Sequence, residues 1–293
     1  MIEMLLAPER APEFGFWDKL YDAKDRNSIM AAYVTAVVPP KTLEEPTWEL
    51  KFEGIPENVR GLMPFGETGL SDRRLMNIFI EKEIKVKIKG IDKKNCIVAC
   101  TRREVVEESR ARIVRMVKEG QEIEAMVSYA TDRLVGLDIG GGVIINMDHR
   151  MMGILRSIPL NAIYQEETIV KAVARKTEES GDIEISPVDP WEELHYNRGA
   201  VISCAVVQLR EKNILVSARP GVVGIAPYPV NGEKPELGER MIFQVNEFDP
   251  DKKSLSLRHY DPEIIRGRKK NREYWKSYRE RNKKQPESDG KRQ

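Results

Sequence analysis

Residues 199–225 read GAVISCAVVQLREKNILVSARPGVVGI. Small and β-branched residues over 201–208, the charged turn REKN, a second apolar run at 214–218, the turn RPG and a third run at 222–226 predict three short strands joined by tight turns. The opening of this stretch recurs upstream. NSIMAAYV at 27–34, GQEIEAMV at 120–127 and GAVISCAV at 199–206 each place a turn residue first, a small residue (Ala32, Ala125, Cys204) five positions on, and a valine (Val34, Val127, Val206) two positions later. Self-similarity of this kind is the signature of a repeat architecture. Spacings of 93 and 79 residues between the small residues divide the 293-residue chain into three small units.

The bulk composition agrees with several small domains. Hydrophobic residues make up 41% and charged residues 32% of the chain, a surface-rich balance. No run approaches the roughly 18 apolar residues of a membrane span, and the start, MIEMLLAPERAPEF, has neither a basic leader nor a long apolar core. A cytoplasmic location without membrane contact is therefore expected. Cys96, Cys100 and Cys204 cannot all pair, and none lies near a histidine at zinc-ligand spacing, so reduced, buried thiols and no metal are expected. The formal charge of +1 conceals an asymmetry, because residues 261–293 hold 12 Lys and Arg against 6 Asp and Glu. The tail is basic and the body mildly acidic.

Residues 1–26 read as an arm followed by a short amphipathic helix, FWDKLYDAKDRN, whose Phe16, Trp17, Leu20 and Tyr21 share a face that either caps the first unit or docks a partner. The first unit, 27–103, has predicted strands at 29–38, 47–52, 59–64, 83–91 and 96–101, with a short helix in SDRRLMNIF. In EIKVKIKGI (83–91) strict alternation sends Ile84, Val86 and Ile88 inward and Lys85, Lys87 and Lys89 outward as a basic stripe. A charged helix over 104–118 is a stiff linker. The second unit, 119–190, has strands at 120–130, 133–139, 143–147, 167–174 and 183–186, with Gly140, Gly141 and Gly142 as a turn. The third, 191–260, has strands at 201–208, 214–218, 222–226, 240–247 and 254–258. In the fourth strands, Ile88 and Val245 precede Asp92 and Asp249 by four positions, whereas Val173 precedes Thr177.

Five short strands with a helical third-to-fourth connection are the pattern of an oligonucleotide-binding barrel. The predicted fold is mainly β: three tandem five-stranded oligonucleotide-binding barrels joined by short helices, with a basic C-terminal helix in 261–293. That tail interleaves Tyr274, Trp275 and Tyr278 with Lys269, Lys270 and Arg272. Cations that neutralise phosphates and rings that stack on bases are what single-stranded nucleic acid requires. The same residues also suit a solvated helix whose aromatics pack on the third barrel.

The third repeat, RGAVISCAVVQLREKNILVSARPGVVGIAP followed by GERMIFQVNEFDPDKKSLSLR, resembles the S1 RNA-binding domain family. WDKLYDAKDRNSIMAAYVTAVV, RGLMP and TRREVVEESRARIVRMVKEGQEIEAMV are similar to the junctions of multi-repeat ribosomal S1 proteins. The resemblance implies binding of single-stranded RNA, with second-strand aromatics stacking on bases, a histidine after the third strand, and polar or basic groups near the last hairpin touching phosphate. This chain departs from that pattern. Leu215 and Gly136 occupy second-strand aromatic positions of the third and second repeats, Trp48 lies in the matching strand of the first, and Pro64 and Pro227 replace the histidine. Each missing ring removes about 1–3 kcal/mol of stacking.

The candidate RNA-binding residues are Lys85, Lys87, Lys89, Arg102 and Arg103 in the first repeat, with Tyr33 and Trp48 as stackers. In the third they are Arg210, Lys212, Arg219, Tyr228, Arg258 and His259, and in the tail Lys269, Lys270, Arg272, Tyr274 and Trp275. There is no GxxxxGK phosphate loop and no HExxH, and His149, His195 and His259 are far apart in sequence, so neither catalysis nor a cofactor is expected. Two functions follow. One is a non-enzymatic single-stranded RNA-binding protein acting in translation or messenger RNA handling, with a ribosome or other RNA–protein assembly as a further partner. The other is a protein-interaction scaffold whose repeats have kept the fold and lost the RNA face.

Overall fold

The computed structural model describes residues 15–40, 45–176, 182–229 and 234–260, with isolated positions at 262, 273, 274 and 276. The chain forms two compact units, 1–188 and 189–293. The first contains two of the sequence repeats and the second contains one.

In the first repeat, β1 (Met30–Val38), β2 (Thr47–Lys51), β3 (Arg60–Pro64), β4 (Glu83–Asp92) and β5 (Ile97–Thr101) close into a barrel of order β1-β2-β3-β5-β4. A short α2 (Phe65–Thr68) and a 3-10 helix, Arg73–Phe79, make the third-to-fourth connection. Alternation along TWELK sends Trp48 and Leu50 into the core beside Met63 and Val86. The helix α1 (Phe16–Asp25) buries Leu20 and Ala23 in that same core, so its apolar face caps the barrel.

The helix α3 (Arg103–Met116) follows. Lys89 pairs with its Glu104 and Lys87 with its Glu108, while Arg103 meets Glu67 of α2 at 2.9 Å. Arg110 reaches Asp182 of the second repeat at 2.7 Å. The predicted linker helix is thus cross-linked to both of its neighbours.

In the second repeat, β6 (Glu122–Ala130), β7 (Leu134–Asp138), β8 (Ile144–Asp148), β9 (Ile169–Lys176) and β10 (Ile183–Pro187) form a five-stranded sheet of order β10-β9-β6-β7-β8. This is the order of the first barrel without the closing third-to-fifth pair. A physical difference accompanies the opening. The fourth strand of the first barrel carries a register shift between Ile88 and Gly90, whereas β9 pairs with β10 without interruption from Lys176 to Ala172. Bulges bend and twist a strand, and closure depends on that curvature.

The second compact unit holds β11 (Val201–Leu209), β12 (Asn213–Arg219), β13 (Val222–Pro227), β14 (Arg240–Asp249) and β15 (Ser254–His259), closed in the order of the first barrel. Its fourth strand has the same shift, between Val245 and Glu247. The segment leading into it contains no helix, contrary to the expectation of helical joints throughout. A turn at 190–193, next to Pro187 and Pro190, and the irregular stretch after it instead bury Trp191 and Leu194, and Trp191 stacks on Phe248 at 5.8 Å. Of the predicted C-terminal helix, positions 262, 273, 274 and 276 are helical; Lys269, Lys270, Arg272 and Trp275 lie outside the described residues.

The repeated sequence pattern has a backbone cause. Asn27, Gly120 and Gly199 all adopt positive φ (51°, 74° and 91°), the conformation that turn residues supply. Val34, Val127 and Val206 each sit immediately before a register shift of the first strand. The N–H of each donates to a carbonyl just before the fourth strand, of Lys82, Thr168 and Glu239 respectively. Their carbonyls accept from Glu81, Glu167 and Gly238, again all at positive φ. The valine is a hook that fixes the start of the fourth strand in every repeat.

Candidate nucleic-acid interface

The third barrel gathers most of its candidates at one end. Asn213 pairs with Pro227, and β13 runs parallel to β15 with Ile225 opposite Ser256, so the β11–β12 turn and the C-terminal ends of β13 and β15 lie together. Ala205 opposite Arg240 brings the start of β14 to the same end. Arg210, Lys212, Tyr228, Arg258 and His259 therefore share one rim, whereas Arg219, at the far end of β12, does not. Arg219 instead lies close to Tyr196, whose pKa burial raises against the lowering effect of the arginine's charge.

On this rim the Tyr228 hydroxyl donates to the Arg210 carbonyl at 2.8 Å, fixing the ring beside the turn, and the Lys234 ammonium lies 5.8 Å from the ring centroid. The Arg258 Nε donates to Gln244 Oε1 at 3.0 Å, and the His259 ring packs edge-on against Phe243. Among the described residues, Arg210, Lys212, Lys234, Arg240 and Arg258 make no ion pair. Glu211 and Glu239 flank them and temper the positive field. Lys234 and Arg240 escaped the sequence reading. Arg240 was legible as the exposed first residue of the fourth strand, while Lys234 sits in a proline-rich loop with no local pattern.

The outward face of β12 and β13 offers no ring. Leu215 is 6% exposed and Ile225 40% exposed, opposite one another, where a base-stacking aromatic would stand.

The first barrel corrects several expectations. Trp48 is fully buried, and its indole N–H donates to the Met76 carbonyl at 3.0 Å, because the alternation that buries Leu50 also turns Trp48 inward. It presents no face to a base. Lys87 is 3% exposed and covered by α3, and Lys89 is ion-paired to the same helix, so only Lys85 of the basic stripe is an exposed, unpaired cation. Arg102 is 5% exposed and holds the Thr68 and Gly142 carbonyls at 2.8 and 2.7 Å; Arg103 is bound to Glu67. Outward-facing Tyr33 is 39% exposed but donates its hydroxyl to Glu83, which pushes its pKa up. Lys51 and Arg60 on the same face pair with Glu57 and Glu49.

In the second repeat the aromatic position is Gly136 because the Tyr129 ring fills its space: a Cβ there would lie 2.3 Å from Tyr129 Cε1. Tyr129 itself is buried against Phe79 of the first barrel, 6.1 Å between centroids, and bonds Asn146. The Gly140–Gly142 turn is more than a turn. Gly141 at φ +65° approaches Ser109 of α3 so closely that a Cβ would fall 2.5 Å from its Oγ, and the Gly142 carbonyl is the one Arg102 grips.

Cys100 and Cys204 are buried, and burial pushes both thiols up to about 12. Cys96 is half-exposed instead, at φ 53° in the last hairpin turn of the first barrel. Among the described residues, no group of three or more His, Cys, Asp or Glu is placed to hold a metal ion, and no helix is long and apolar enough to cross a membrane.

No family model matches the chain. It is 28% identical over 153 residues to the small ribosomal subunit protein bS1 of Rhizobium meliloti (strain 1021), a match covering 46% of this chain and 26% of that protein. The matched region thus spans about a quarter of the curated relative's length. A solved multidomain protein with nucleic acid binding domains from Streptococcus pneumoniae TIGR4 aligns over 80% of this chain and 73% of its own, at 12% identity and a TM-score of 0.27. An uncharacterized protein of Methanocaldococcus jannaschii aligns over 24% of this chain and 97% of its own, at 16% identity and a TM-score of 0.22. The chain thus has three five-stranded units of one strand order, the second left unclosed, in a sequence similar over 153 residues to a bS1 protein.

Proposed function

We propose that the chain is a non-enzymatic protein that binds single-stranded RNA chiefly through the rim of its third barrel, with the basic tail extending the contact. The observation that carries this reading is a contrast in ion pairing. The rim cations Arg210, Lys212, Arg240 and Arg258 have no carboxylate partner among the described residues, whereas Lys51, Arg60, Lys87, Lys89 and Arg103 of the first barrel are all engaged. Phosphate neutralisation needs cations that are not already neutralised. Similarity to a ribosomal protein supports a cytoplasmic role in translation or messenger RNA handling, with the ribosome as a further partner.

The test is a titration of labelled single-stranded RNA at two salt concentrations, for the full chain and for one ending at residue 261. Binding by both, weakened by salt, is the expected result. Loss of all binding with the tail would move the grip off the barrel, and no binding by the full chain near physiological salt would reject the reading. A second reading, a protein-docking scaffold, is favoured by one feature: Leu215 and Ile225 stand where stacking rings would on the outer face of β12 and β13, and Leu215 is already covered while Ile225 is exposed. It would be supported if the full chain bound no RNA.

A further inference from the structure

Where the first barrel, α3 and the second sheet meet, the chain forms a half-open cavity of about 190 Å³ that no S1-type binding face accounts for. Drug-sized pockets run from about 300 Å³ upward, so this one suits a small heterocycle. Val105 and Val106 of α3 and Ile144 of β8 give it apolar walls, Arg102 and Asp138 face each other's charge across it as its polar edge, and exposed Lys85 lines it beside Ser128 and Glu83, whose carboxylate already accepts the Tyr33 hydroxyl.

The polar edge is incompletely used. The Arg102 guanidinium has five N–H donors, of which the Thr68 and Gly142 carbonyls take two, leaving three with no acceptor among the described residues. No carboxylate lies within ion-pairing distance; burial draws its pKa down, and the nearby charge of Asp138 opposes that shift. Asp138 Oδ1 accepts the Gly140 N–H at 2.7 Å, and its other oxygen has no partner among the described residues. The guanidinium lies 5.7 Å from the centroid of the Phe79 ring, and its remaining N–H groups can donate to a ligand that brings acceptors.

The groups select among ligands. A simple anion would suit Arg102 but be repelled by Asp138. The edge calls for a planar molecule with flat apolar faces, two acceptors for the guanidinium and adjacent donors for the carboxylate. Guanine presents O6 and N7 as acceptors, the pair an arginine fork engages, and N1–H and the 2-amino group as donors. Adenine places an amino donor where O6 would be, against the guanidinium.

We propose that this cavity binds a guanine base, with Arg102 donating to its O6/N7 edge, Asp138 accepting from N1–H and the 2-amino group, and Lys85 meeting the phosphate at the mouth. The base comes either from a free guanine nucleotide or from a guanine extruded from an RNA strand. The site is separate from the third-barrel rim and does not depend on the RNA reading, so either can fail alone.

Calorimetric titration of the full chain with GMP, AMP and the trinucleotides UGU and UAU tests it. GMP is expected to bind at least tenfold more tightly than AMP, and UGU more tightly than UAU. Tighter binding of UGU than of GMP supports a strand-derived guanine, and the reverse supports the free nucleotide. Asp138→Asn keeps an oxygen for the Gly140 N–H but can turn the open acceptor into a donor. It should weaken GMP tenfold or more while admitting xanthosine monophosphate, whose 2-carbonyl accepts. Ile144→Phe, which fills the cavity without touching its polar groups, should abolish GMP binding and serves if Asp138→Asn does not fold. Absence of GMP binding, equal affinity for GMP and AMP, or unchanged GMP affinity in a folded variant would overturn the proposal.

Discussion

Lys87 of β4 and Glu108 of α3 form an ion pair in which the lysine side chain is 3% exposed and the glutamate 53% exposed. The asymmetry predicts unequal consequences for the two halves. Glu108→Ala leaves a buried ammonium unpaired and should cost about 1–3 kcal/mol, less than a fully buried pair because the glutamate side is solvated. Lys87→Met removes the charge and keeps the volume, and should change stability by no more than about 1 kcal/mol. Urea unfolding measures both; equal losses would contradict the assignment of the cost to the stranded lysine.

Gly141→Ala should destabilise by about 2–4 kcal/mol, combining the left-handed backbone with collision against Ser109. Gly153 is the control, since its φ is +67° but nothing lies within 4 Å of its added Cβ. Gly153→Ala should cost only about 1–2 kcal/mol. The difference between the two, read from denaturation curves, reports the contact of the second repeat with α3.

Trp48→Ala should cost about 3–5 kcal/mol as a large core truncation. Trp48→Phe should be milder and leave RNA affinity unchanged, because the ring faces the core. A tenfold loss of RNA affinity in folded Trp48→Phe protein would restore the indole as a stacking group.

RNA affinity should fall with salt, and the slope of log affinity against log salt should shrink by about 0.7 for each phosphate contact removed. Arg210→Ala, Lys212→Ala and Arg258→Ala are each expected to reduce it. Lys89→Ala, already neutralised by Glu104, is expected to leave it unchanged.

Of the three free cysteines, only Cys96 should react with a disulfide reagent in the native protein at pH 8, and all three after unfolding. Burial holds Cys100 and Cys204 up at about 12 in the fold, against about 8.5 for a free thiol. A pKa raised on folding gives stability that is full below the unfolded value and lost as pH rises toward the folded one, so stability should decline from about pH 8.5 upward. At the acidic end the sign reverses. Asp92 is held below its usual range by Asn95 and Asp249 by Lys252, so stability present above about pH 4 declines as those carboxylates protonate.

The strands and their grouping were legible because they rest on local patterns: alternation in EIKVKIKGI, turn residues at Asn27, Gly120 and Gly199, and the valine two places beyond a small residue. The aspartate shared by two repeats has a local role as well, since Asp92 accepts the N–H groups of Lys94 and Asn95 and Asp249 that of Lys252 in the last hairpin turn. The site was less legible because it depends on partners distant in sequence. Nothing within 83–91 says that α3 will lie across Lys87 and Lys89, and nothing near Arg102 announces carbonyls 34 and 40 residues away on either side. Trp48 was recoverable: reading Trp48, Leu50 and Phe52 as one face would have sent the indole inward.

Arg102 holds the Thr68 carbonyl of the first barrel and the Gly142 carbonyl of the second with one guanidinium. Repeat proteins are commonly treated as beads to be cut, shuffled and grafted, but these two beads share a rivet. Excising either would strand a buried cation in the piece that keeps Arg102 and expose a seam in the other. The smallest transplantable piece of this half of the molecule is the pair.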